Sequence, residues 1–358
     1  MKKFKLNIES LENKSMMAAY SYADAELLSL IKKDYSDNFI DRQEAIEIFK
    51  SVADNNSVDT NEVADLNNII KLNMSNDIKY LSNAILSSPA NKTVPSLNTN
   101  STGDNVFKLI DKWFLGKDRP LTQYQYAPIN GKLFVNGASE YDVRQGSIGD
   151  CYFVATLAAL ASKNNSSIVE TFKDNGDSTW TISFTYFSIK EYVVVDNYLP
   201  VGANGYSVFA GFGGGHYTSA NNELWVSLAE KGYAQWSETG HAELPKDKMT
   251  NSYDNIGRGG WSDKVLTQIA GIYVVNNFTM TPAKETILKS ALEKNQPIVI
   301  YRYMNTAKTA AHAYFLKSYS STTGKYELFN PWGHSHLSLT SAEVQSQCYG
   351  FAIGSKVG

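Results

Sequence analysis

Gln145-Gly146-Ser147-Ile148-Gly149-Asp150-Cys151-Tyr152-Phe153 is the stretch on which the reading of this chain turns. It sets a lone cysteine immediately before Val154-Ala155-Thr156-Leu157-Ala158-Ala159-Leu160-Ala161, a segment apolar around its whole circumference. Such a segment predicts a helix buried on every side, able to hold its first residue rigidly. A thiol at a helix N-terminus feels the unpaired N–H groups and the macrodipole, both of which favour the thiolate. Taken alone, a cysteine opening a core helix is a small hydrophobe.

Two later segments reverse that bland reading. Ala310-Ala311-His312-Ala313-Tyr314-Phe315-Leu316 sets a histidine inside an apolar, strand-like run, and Leu328-Phe329-Asn330-Pro331-Trp332-Gly333 ends a short strand in an asparagine and a turn. Cys, His and Asn in that chain order are the order of the Cys-His-Asn triad. In that chemistry His312 takes the thiol proton and Asn330 orients the imidazole through its other nitrogen. Trp332 is placed to keep water from the Asn330–His312 bond. Gln145, with the Cys151 backbone N–H, is the candidate donor to the oxyanion of a tetrahedral intermediate.

Gln-Gly-x-x-Gly-Asp-Cys-aromatic, then His-Ala-Tyr, then Asn-Pro-Trp-Gly, resembles the catalytic core of the calpain-type cysteine endopeptidases, on the papain-like fold. Glu223-Leu224-Trp225-Val226-Ser227-Leu228-Ala229-Glu230-Lys231-Gly232-Tyr233-Ala234 is similar to a helix of that family. Tyr192-Val193-Val194-Val195-Asp196-Asn197-Tyr198-Leu199-Pro200 resembles one of its strands, and Ser252-Tyr253 followed by Gly259-Gly260 its substrate-cleft segment. The resemblance covers residues 125 to 335. It implies an α+β, two-lobed core: a mostly helical lobe around the Cys151 helix, and a β-rich lobe carrying His312 and Asn330. Strands are expected at 298–303, 313–319 and 326–329. It also implies Cys151 as nucleophile, His312 as base, Asn330 as orienter and Gln145 in the oxyanion hole, with Gly260 and Trp332 facing substrate. Three departures stand out. Tyr152 replaces the family's Trp, Ala311 its Gly, and about a dozen extra residues, including His241 and Pro245, lie between Ala234 and Ser252.

The resemblance further implies one calcium site. Val135-Asn136-Gly137-Ala138, Asp142 and Glu223 match the family's pattern, so the carbonyls of Val135 and Gly137 and the carboxylates of Asp142 and Glu223 form an oxygen-only ligand set. The bland alternative makes Asp142 and Glu223 surface or capping acids. A second family site needs acids after the Pro-Trp-Gly turn; His334-Ser335-His336 stand there, and that site is expected to be absent. No organic cofactor is expected.

The 358 residues suit a two-lobed enzyme with an extension. We read 1–86 as a helical pro- or regulatory region and intramolecular inhibitor, 87–106 as a mobile polar linker open to self-cleavage, and 107–358 as the protease core. In the first region, Asp37 to Glu44 and Asn55 to Glu62 echo one another like halves of a calcium loop. Their missing glycines and first ligands favour helix N-caps, Asp41 with Glu44 and Asp59 with Glu62. A net charge of −3 gives no case for nucleic acid or anionic membranes. Two distant cysteines, no apolar run of spanning length and no apolar stretch after Met1-Lys2-Lys3 favour a cytoplasmic protein without a signal peptide. The expected partners are protein or peptide substrates. His216, in a glycine-rich loop, and His334 and His336 read as surface residues. The alternatives are an acyltransferase or transglutaminase using the same triad, and an inactive calpain-like binding module.

Overall fold

The computed structural model describes residues 20–54, 57–243 and 250–355. The chain divides into two compact units, Met1–Asp118 with Tyr192–Val194, and Arg119–Glu191 with Val195–Gly358. Met1 to Asn7 and Pro245, on which two of the sequence readings rest, lie outside the described residues.

The first unit holds helices α1 Ala25–Asp34, α2 Arg42–Ser51, α3 Thr60–Ile69, α4 Asn76–Leu86 and α5 Gly103–Trp113. Their apolar faces meet in one core that includes Ile31, Phe49, Leu66, Leu81, Ile85 and Leu109. The two acidic echoes are capping boxes: Glu44 N–H donates to Asp41 at 2.9 Å and Asp41 N–H returns to Glu44 at 2.8 Å. Asp59 and Glu62 do the same at 2.9 and 2.7 Å. The carboxylates there hold helix N–H groups.

The segment 87–106 differs from the mobile linker expected of its composition. Leu97 is buried and its N–H bonds Ile85 O at 2.9 Å. Asn91 donates to Ala84 O and accepts from the indole of Trp113. Val58 N–H bonds Ser101 O, and Asn100 N–H bonds Val58 O. The Asn and Ser side chains that look solvent-loving in sequence cap backbone groups instead. The division between units falls at Asp118–Arg119, later than the sequence suggested.

In the second unit, α6 Cys151–Lys163 is buried from Tyr152 to Ala161. It packs against α8 Trp225–Trp236, itself buried along its full length, with Phe153 and Tyr233 stacked at 4.3 Å. Between them in sequence come the short α7 Ser166–Val169 and a three-stranded sheet, β2 Phe172–Asp174, β3 Thr179–Tyr186 and β4 Ile189–Asp196, of which Tyr192–Val194 count with the first unit. Strands β1 Gln125–Pro128 and β5 Tyr198–Val201 pair antiparallel as a separate ribbon. The part around α6 is thus less purely helical than expected. Short α9 Tyr253–Ile256 and α10 Ser262–Ala270 follow.

Six antiparallel strands build the remainder, in the order β10-β9-β8-β7-β11-β6: β6 Val274–Asn277, β7 Ile298–Tyr303, β8 Ala311–Ser320, β9 Lys325–Phe329, β10 Leu337–Thr340 and β11 Cys348–Gly354. The strands expected around 298, 313 and 326 are all present. Helices α11 Pro282–Glu293 and α12 Ser341–Gln347 cover this sheet through Leu288, Ala291 and Val344.

Glu285 on α11 ties that cover together. It accepts from Tyr326 Oη at 2.9 Å, Ser341 Oγ at 2.6 Å, Gln345 Nε2 at 2.6 Å and pairs with Lys289 at 3.0 Å. Burial alone would raise its pKa, but these donors outweigh burial and hold it at about 2. A depressed acid contributes stability that is complete above its ordinary value near 4.5 and is lost as pH falls toward 2. Glu285→Gln should therefore be less stable than wild type at pH 7, with the gap clearly narrower at pH 3 and closing only near pH 2. Urea unfolding at both pH values checks this, and a gap that does not change with pH would refute it.

Candidate active site

Cys151 is the first residue of α6, and Asp150 is its N-cap, with Phe153 N–H and Val154 N–H bonding Asp150 O at 2.8 and 3.2 Å. The sulfur is half-buried and faces the backbone N–H of Ala313 on β8, one residue beyond His312. Burial pushes the thiol up to about 11, the Ala313 N–H opposes this, and the Asp150 charge adds to it. The helix terminus is therefore overridden by desolvation, and the thiol rests protonated.

His312 and Asn330 come from neighbouring strands. β8 and β9 pair antiparallel with Phe315 opposite Phe329, so the residue after β9 arrives within a diagonal step of His312. His312 Nε2 lies 3.0 Å from Asn330 Oδ1, and both residues are buried. The N–H of Trp332 donates to the same Oδ1 at 3.1 Å, which identifies that atom as the oxygen. Nε2 is then the donor and carries the ring proton, leaving Nδ1 as the basic atom. Burial lowers the His312 pKa and the Asn330 bond opposes it. The Trp332 ring lies 4.7 Å from the imidazole, tilted by 35°. No hydrogen bond joins Cys151 to His312 among the described residues.

The loop ahead of Cys151 is seated against the turn after Asn330. Gln145 N–H bonds Pro331 O at 2.7 Å, and a Cβ on Gly333 would meet Arg144 and Val143 O. Gly146 is held equally closely, since a Cβ there would fall on the carbonyl oxygens of Val208 and Phe209. The Gln145 side chain turns inward: Nε2 donates to Ile148 O at 2.7 Å and to Asp150 Oδ1 at 3.1 Å, while Oε1 is buried without a partner. Three contributors were invisible in the sequence reading. Asp150 and Glu230 are buried acids beneath the loop. His336, read as a surface residue, is exposed but accepts the Asn330 N–H at 3.0 Å through Nδ1 and stacks on Phe329. Only its alternation with Asn330 across a tight turn hinted at this.

Gly260 packs on the face of Tyr152, where a Cβ would clash with the ring. A groove of about 870 Å³ runs beside Ser147, Ile148 and Gly149, walled by Tyr124, Phe209 and Arg258. Asp142 and Glu223 also meet. Trp225 Nε1 and Ser139 N–H donate to Asp142 Oδ2 at 3.0 and 2.8 Å, and Val135 N–H donates to Glu223 at 2.6 Å. Burial, then the adjacent Asp142 charge, pushes Glu223 up to about 7. Two acids facing one another with no ion pair to a protein cation among the described residues are chemically suited to a hard divalent ion. No cluster of three His, Cys, Asp or Glu ligands occurs among the described residues, so the carbonyls of Val135 and Gly137 would have to complete such a site.

The chain matches the sequence model for "Calpain family cysteine protease" over residues 117–342. This chain belongs to the calpain family of cysteine proteases. Among its relatives, "Calpain-type cysteine protease DEK1" of Zea mays is 34% identical over 140 residues, covering 39% of this chain and 6% of that protein. "Calpain clp-4" of Caenorhabditis elegans is 24% identical over 229 residues, covering 57% and 29%. "Calpain-A" of Drosophila melanogaster is 26% identical over 172 residues, covering 46% and 18%. The chain thus spans under a third of the length of these calpains. Its mixed helix-and-sheet core is the α+β class expected of the family.

In this calpain core the resting protonation has a measurable consequence. Alkylation of Cys151 by iodoacetamide should be slower at pH 7 than that of a free cysteine. It should rise about tenfold per pH unit toward pH 11, because a raised pKa leaves little thiolate. Peptide mapping by mass spectrometry reads it out. A rate flat between pH 6 and 9 would show a standing ion pair instead.

Proposed function

We propose that this chain is an endopeptidase that hydrolyses peptide bonds with Cys151 as nucleophile, His312 as base and Asn330 as orienter. The observation that carries this reading is the Nε2···Oδ1 bond of 3.0 Å, with the Trp332 N–H fixing its polarity. That arrangement supports a neutral imidazole with a basic Nδ1, while the Cys151 sulfur faces the next residue of the same strand. Proton transfer from sulfur to Nδ1 produces the thiolate, which attacks the substrate carbonyl. The Cys151 N–H and the Gln145 amide, with one amide N–H kept on Asp150 and the other passing from Ile148 O to the substrate, would receive the oxyanion. The protonated imidazole then gives its proton to the leaving amine, and water releases the acyl group from the thioester. The groove beside Ser147, walled on its other side by Asp254, Gly257 and Arg258, is where a peptide would lie.

Asp142, Glu223 and the carbonyls of Val135 and Gly137 would hold calcium. Bound there, the ion would neutralise the two facing acids. The proposal does not extend to self-cleavage within 87–106, because that segment is hydrogen-bonded into the first unit.

Two experiments test these assignments. With a fluorogenic peptide library, Cys151→Ala and His312→Ala should lose at least about 10³-fold in kcat/KM, and Asn330→Ala about 10- to 100-fold. Turnover surviving in Cys151→Ala would end the thiol-protease reading, and incorporation of a free amine in place of new N-termini would make the chain an acyltransferase. For calcium, saturating CaCl2 should raise Tm of the wild type, by linkage of about 2.7 kcal/mol at a hundred times Kd. It should leave Asp142→Ala and Glu223→Ala unmoved. Equal shifts in all three proteins would place the ion elsewhere.

A further inference from the structure

Asp150 and Glu230 are 0% and 1% exposed, which is rare for carboxyl groups without a cationic partner. Asp150 occupies an N-cap position yet makes no side-chain cap. Its Oδ1 instead accepts Gln145 Nε2 at 3.1 Å, and its Oδ2 is buried without a donor from any other group. Glu230, on α8, accepts Ala210 N–H with both oxygens, at 2.9 and 3.2 Å. The two carboxyls lie close enough for each to shift the other's pKa.

The groups facing this pair are Cys151 and Tyr152 on α6, Tyr253 on α9, Tyr126 on β1 and Gln145 on the loop. None is a cation at neutral pH. Lys231, beside Glu230 in sequence, is committed to Asp196 and to Tyr198 O. Two carboxylates in such a place repel one another, whereas an acid and a carboxylate form a strong charge-assisted bond. The charge belongs on Asp150, which receives the Gln145 amide and stands at the N-terminus of a 13-residue helix.

We propose that Asp150 and Glu230 share one proton, resting on Glu230, and that the ionised Asp150 positions the Gln145 amide beside the nucleophile. The positioning half of this proposal rests on the endopeptidase reading, and the proton's location does not. Burial pushes Asp150 up to about 6 and Glu230 well above its ordinary range, in keeping with one proton on the pair at neutral pH. Below about pH 6 the pair gains a second proton, Asp150 loses its charge, and the amide loses its anchor.

Infrared difference spectroscopy tests the proton directly. At pH 7.5, Glu230→Gln minus wild type should show the loss of a protonated-carboxyl C=O band, and Asp150→Asn minus wild type the loss of carboxylate bands. The reverse pattern, or carboxylate loss in both, overturns the assignment. Peptide turnover tests positioning. Asp150→Asn should lower kcat about 30-fold with KM within about twofold, and Glu230→Ala should do likewise, while Glu230→Gln recovers most of that loss. In a Gln145→Ala background, Asp150→Asn should cost less than about twofold more. Losses that simply multiply would make the pair structural only. Absence of turnover in the wild type would count against the endopeptidase reading, and the infrared result would still decide where the proton sits.

Discussion

The backbone bond from Gln145 N–H to Pro331 O, 2.7 Å long, is the constraint around which the site is assembled. It joins the loop that ends in Cys151 to the turn that begins with Asn330, and both sides are shaped for close approach. Gly333 lacks the Cβ that would strike Arg144, and Gly146 lacks the one that would strike Val208 and Phe209. A single added carbon at either glycine would meet backbone or packed side chain that has little room to move. Because α6 is buried on every side, displacement of this loop is carried directly to Cys151.

Burial explains the chemical state of the site as well as its rigidity. The thiol sits within reach of β8 but keeps its proton, and the imidazole stays neutral, since both charged forms lose hydration there. A nearby anion reinforces this state. Asp150 opposes a thiolate directly.

Much was legible before any coordinates. The apolar run after Cys151 announced a buried helix, because no amphipathic face can be drawn on Val154 to Ala161. The apolar run around His312 and the family resemblance announced the strands around 298, 313 and 326, and Asp41-x-x-Glu44 and Asp59-x-x-Glu62 announced helix starts. Residues 87–106 misled, because Asn, Ser and Pro have the same composition whether they face water or cap backbone groups. Only contact with α4, α5 and Val58 separates the two cases.

By itself the sequence determined which residue types carry the chemistry and in what order, since local periodicity and motif spacing are properties of the chain alone. Tertiary structure decided their state. The β8–β9 register brought His312 to Asn330, and the Trp332 N–H set which ring nitrogen keeps the proton. Folding also put Glu230 against Asp150, eighty residues apart in the chain, and gave His336 a role at Asn330. Desolvation and proton sharing depend on what surrounds a group in space, and no reading along the chain contains that.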